Sequence, residues 1–116
     1  MQKTKRIIKG SWNGNGEILK SGEHFADCAY QVQLEQEIIV SESAFSIQEV
    51  PGPAFYSGTV TIDPQELLKP GVLQGMNSGE VLTLHLSNES LIKAYFNPVL
   101  EENNQLIGVY KIMPVN

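Results

Sequence analysis

The chain has 116 residues and a mass of 12.8 kDa, enough for one core and too little for two ordinary cores joined by a linker. Apolar residues make up 41% and charged residues 18%, which excludes intrinsic disorder, and no run reaches the roughly 18 apolar residues that a membrane-spanning helix needs. The net charge of −5 is uneven: residues 1–20 carry Lys3, Lys5, Arg6, Lys9 and Lys20 against Glu17 alone, leaving a body of net −9 that does not suit nucleic acid.

The basic start reads as a solvated terminus, frayed over residues 1–4, that also blunts an edge strand. Only Ile7-Ile8 follows before Lys9, so no export signal is read there. The lone Cys28 has no partner for a disulfide, and the expected compartment is a reducing cytoplasm. From Ile8 to Ile18 the even positions are Ile8, Gly10, Trp12, Gly14, Gly16 and Ile18. Three glycines on one face suggest a coiled strand crossed closely by another backbone; the competing reading is a hairpin turn at Asn13-Gly14 or Asn15-Gly16. Cys28 to Val40 alternates through Tyr30, Val32, Leu34 and Ile38, the period of a long half-buried strand.

Further strands are expected at Ala44 to Glu49 and Tyr56 to Ile62, separated by the turn chemistry of Pro51-Gly52-Pro53. Asp63, Pro64 and Glu66 have the spacing of a helix start, giving one short helix near residues 64–69, ended by Pro70-Gly71 and followed by a loop to Gly79. Val81 to Ser87 and Leu91 to Asn97 read as a hairpin around Asn88-Glu89-Ser90, and Gln105 to Ile112 as a last strand after the turn at 101–104. The fold class is therefore all-β: a single domain over 1–116, forming a small antiparallel barrel, or a two-layer sandwich, of about seven or eight strands.

No catalytic, cofactor or metal constellation is expected. Cys28 shares a face with Tyr30, Val32 and Leu34, so it packs as a small apolar side chain instead of forming a thiolate with His24. Glu35 and Glu37 stand on one wet strand face, which does not drive two carboxyl pKa values apart. His24, Asp27 and His85 lack ligand spacing, and Gly10 to Gly16 lacks the ending of a phosphate loop. Gly10-Ser11-Trp12 resembles the Gly-x-Trp signature on the first strand of lipocalins, barrels that enclose small apolar ligands. That resemblance covers three residues of a chain shorter than those barrels and without their paired cysteines, so Trp12 reads as a plug closing one barrel end.

The expected role is binding, through a protein partner or self-association. Its contact residues would be Thr83, His85, Lys93 and Tyr95 on the outer hairpin face, or Phe55 and Tyr56 on the loop from Pro51. The alternative is a barrel holding a small apolar ligand against Trp12, Tyr30 and Phe96, and a cysteine or carboxylate enzyme ranks third. All these expectations assume that Trp12, Cys28, Tyr30, Leu84 and Phe96 share a dry interior.

Overall fold

A computed structural model describes residues 2–100 and 105–115. Its strands are β1 (Gln2–Lys20), β2 (Glu23–Glu42), β3 (Ile47–Thr61), β4 (Leu82–His85), β5 (Leu91–Leu100) and β6 (Gln105–Pro114), with α1 (Pro64–Leu67) and α2 (Val72–Met76) between β3 and β4. All pairings are antiparallel, in the order β1-β2-β3-β6-β5-β4, and β4 returns to β1 to close a ring. The chain is all-β, with six strands among the described residues instead of seven or eight. The expected strands at Ala44 to Glu49 and Tyr56 to Ile62 largely belong to one continuous β3, which begins at Ile47. Pro51-Gly52-Pro53 does not interrupt it, because β6 pairs with β3 only over Thr59–Thr61 and leaves this stretch as an edge, where prolines are tolerated. A register shift between Gln36 and Ile38 takes up the irregularity. The turn expected at 101–104 lies outside the described residues.

β1 also runs unbroken through both Asn-Gly pairs, so the coiled-strand reading holds and the hairpin reading does not. Gly14 stands opposite Tyr30 and Gly16 opposite Cys28. A Cβ on Gly16 would run into the carbonyl of His85, and one on Gly14 would lie 3.1 Å from the Tyr30 hydroxyl. The two glycines thus leave the space in which β4 and the Tyr30 ring cross β1.

The expected helix forms as α1, and a second one, α2, follows it. The Asp63 carboxylate accepts from the Gln65 N–H at 2.8 Å and Pro64 opens α1 as read. Pro70 cannot continue the helix, and Gly71 at φ 81° starts α2 inside the stretch expected as loop. Leu67, Val72 and Met76 are buried, and the Phe25 ring lies against Gly75, so the helices cover the ring end where β1 turns into β2. The β4–β5 hairpin forms as expected: Leu86 N–H donates to Ser90 O at 2.9 Å, and Ser90 N–H to the Asn88 side chain at 3.0 Å.

Ile18, Val60, Ile62, Leu84 and Ile112 sit at the centre of one contiguous core that includes Cys28, Tyr30 and Phe96. Trp12 is the exception among the five residues expected inside: it is 36% exposed. The reason is that β1, β2 and β3 outrun the ring. β4 pairs with β1 only over Glu17–Leu19 and β6 with β3 only over Thr59–Thr61. The remainder, roughly 2–14, 31–42 and 47–58, continues as a three-stranded arm. The arm stretches the molecule to 61 × 36 × 22 Å with a Cα radius of gyration of 17.2 Å, against about 13 Å for a compact chain of this length.

Candidate functional site

Thr83 faces Lys93 in register, His85 faces Leu91, and Tyr95 faces Met113, which puts the four hairpin residues on one outer surface. Lys93 and Tyr95 are exposed there, and Thr83 and His85 are half-buried. Phe55 and Tyr56 are not on a loop. They are neighbours in β3 and point to opposite faces. Phe55 lies opposite Glu35 with the Arg6 guanidinium 5.0 Å above its ring, whereas Tyr56 lies opposite Leu34, packs against the core and sits 6.4 Å from the Trp12 ring. The six residues therefore do not form one patch. Of the three proposed cavity residues, Tyr30 and Phe96 are packed in the core. The Tyr30 hydroxyl lies 2.8 Å from Ser87 Oγ and accepts from Ser87 N–H at 3.2 Å. Trp12 stands at the mouth of the ring, its indole over Gly10.

Sequence reasoning missed a groove of about 630 Å³ beside the β1–β4 seam, rimmed by the ionisable groups Glu17, Asp27, Asp63, Glu66, His85 and Glu89 and reaching inward to Cys28 and Leu86. The antiparallel register sets Glu17 opposite both Asp27 and His85. Both histidines of the chain meet Glu17: His24 Nδ1 at 3.1 Å from Oε1 and His85 Nδ1 at 3.4 Å from Oε2. The hydrogen bond with His24, reinforced by His85, holds the Glu17 carboxyl below its usual range. Glu89, 3.1 Å from His85 Nε2, and then Glu17 raise the His85 pKa. His24, Asp27 and Glu66 each bring one ligand-type atom within 4.8 Å of the others. These groups already partner one another, since Lys69 lies 2.7 Å from Glu66 Oε1 and the Asp27 N–H donates to Glu66 Oε2 at 3.3 Å. A cation would compete with Lys69 for Glu66. The cluster links β1, β2, α1 and β4 through charge-assisted hydrogen bonds.

Cys28 takes no part in that chemistry. Burial first, then the charges of Asp27 and Glu17, push its thiol up to about 12, so it stays protonated at neutral pH. Glu35 and Glu37 are likewise engaged, Glu35 accepting from Ser57 Oγ at 2.8 Å and Glu37 lying 3.6 Å from Arg6.

The arm is the other outstanding feature. Leu34, Ile38 and Val40 keep the apolar alternation of β2 after the strand has left the ring, and they are only half-buried. At the tip, between β2 and β3, Phe45 is 98% exposed and Ile47 70% exposed. At the base a small socket of about 140 Å³ opens beside Tyr56, lined also by Ala54, Ile92, Lys93, Ala94, Pro114 and Val115. Among the described residues no helix is long and apolar enough to cross a membrane. No protein-family model, curated protein or solved structure matches the chain.

Proposed function

We propose that the chain is a protein-binding module in which the ring, read as a small barrel, is the scaffold and the arm is the contact surface. The observation that carries this is Phe45, a full aromatic side chain in water at the tip of a sheet whose apolar pattern continues past the core. Leaving such a side chain exposed forgoes about 1.5–3 kcal/mol of burial free energy, which a partner covering the tip would recover. The ligand-holding alternative has less support, because Tyr30 and Phe96 already pack against other core side chains.

Carbene footprinting tests the proposal by comparing the protein inside the cells that make it with dilute purified protein. Labelling of Phe45, Ile47 and Ile38 is expected to drop in the cell, while that of Leu68, an exposed residue off the arm, stays unchanged. Equal labelling of the arm in both settings would overturn the assignment.

A further inference from the structure

We propose that the occupant of the arm is a second copy of this chain, laid antiparallel on the first so that Phe45 of each copy enters the socket beside Tyr56 of the other. The inference rests on the arm being the contact surface, and it adds the partner and its geometry.

Both edges of the arm resist strand addition. The β1 edge carries Lys3, Lys5, Arg6 and Lys9, and the β3 edge carries Pro51 and Pro53, which offer no N–H. Contact is thereby directed to a face. On the face that continues the ring interior, β2 contributes Leu34, Ile38 and Val40. Register adds Tyr56 opposite Leu34, and Ile7 beside it, opposite Gln36. Toward the tip the same face carries Lys5, whose Nζ lies 2.6 Å from Glu49 Oε1, and Lys3, opposite Val40.

The two ends of the arm complement each other. Phe45 projects into solvent at the tip, and at the base lies a socket walled by Tyr56, Ile92, Ala94 and Pro114 with Lys93 at its side, where an aromatic ring finds both apolar and cationic contacts. Tyr56 stands opposite Leu34 and Ile47 opposite Glu42, eight rises of β2 or about 26 Å, and the turn at 43–46 carries Phe45 a little farther, so tip and socket are roughly 30 Å apart. Two identical arms related by a twofold axis across their middle bring each tip to the other's socket in a single arrangement, an isologous interface. Three strands about 4.8 Å apart and overlapping over about 30 Å offer roughly 430 Å² per arm, or roughly 860 Å² for the pair, the size of a weak, transient interface. The dimer is therefore expected to be reversible and concentration-dependent.

The test uses the single tryptophan, Trp12, at the base of the arm. Copies carrying Trp12→Phe and Ser46→Cys, with a fluorescence quencher on the introduced thiol, are mixed with native copies; buried Cys28 does not compete for the label. Light scattering is expected to give twice the single-chain mass at high concentration, and Trp12 emission of the native copies is expected to fall as labelled copies are added. Phe45→Ser in both copies is expected to abolish both effects, and because the side chain is exposed in the single chain the melting temperature at high dilution should not change. A single-chain mass at every concentration overturns the second copy as partner. A doubled mass with unquenched Trp12 overturns the antiparallel arrangement. If in-cell protection of the arm persists while the protein stays a single chain, only this inference falls; if protection is absent as well, the binding surface falls with it.

Discussion

Replacing Gly16 by alanine probes the closure of the ring at its shortest seam. Only three register pairs join β1 to β4, namely Glu17 to His85, Ile18 to Leu84 and Leu19 to Thr83, and Gly16 is the next residue along β1. The added methyl would meet the His85 carbonyl, a backbone atom that moves only if β4 moves, and would also lie 3.2 Å from the Tyr30 ring. Ile18 and Leu84, both fully buried, sit one pair away, so a displaced β4 loosens the centre of the core. Overpacking of this kind costs about 1–3 kcal/mol, a large share of a typical stability of about 5–15 kcal/mol. For a domain of this size that corresponds to a drop in melting temperature of about 4–12 °C. Thermal unfolding followed by circular dichroism measures it, with Asn15→Ala, on the exposed side of the same strand, expected within about 0.5 kcal/mol of the parent. A Gly16→Ala protein that melts together with Asn15→Ala would refute the close crossing of β4 over β1.

Tyr30→Phe removes the hydroxyl that meets Ser87 Oγ and accepts from Ser87 N–H, and is expected to cost about 1 kcal/mol in urea unfolding; no loss would show that the turn after β4 is held by other contacts. Cys28, buried with its thiol pKa raised to about 12, should react with a thiol reagent only as the protein unfolds, and rapid labelling of the native protein would contradict its place in the core. His85 is raised above its ordinary value of about 6.5 by Glu89 and Glu17. Because the folded pKa is the higher one, its stabilising contribution is complete below the unfolded value and fades as pH rises through the folded value. A ring-proton titration by NMR should give a midpoint above 6.5 that Glu89→Gln lowers, and a midpoint at or below 6.5 would discount these contacts in solution.

Much of the ring was legible because a strand writes its buried face with a period of two. Cys28, Tyr30 and Val32 in β2, Leu82 and Leu84 in β4, and Ile92, Ala94 and Phe96 in β5 alternate in the sequence and are buried in the fold. The glycines of β1 were legible for the same reason, since Gly14 and Gly16 occupy inward slots that only a close crossing explains. Pro51-Gly52-Pro53 misled because its chemistry suits a turn or an edge strand equally, and which of the two applies depends on where β6 ends. Trp12 follows the alternation, yet the ring stops short of covering it, a fact set by the lengths of β4 and β6. The ionic groove was not legible at all. Glu17, His24, Asp27, Glu66 and His85 are spread over 69 positions of sequence and meet only through the β1–β2 and β1–β4 registers and the placement of α1.

The exposed arm is the claim on which the proposed binding role stands, and small-angle X-ray scattering across a dilution series measures it directly. At the dilute limit the radius of gyration is expected to stay above 17 Å, in keeping with the 17.2 Å of the Cα trace, and to rise with concentration for the native chain but not for Phe45→Ser. A dilute value near the ~13 Å of a compact chain would mean that the arm folds back on the ring, and would contradict the account.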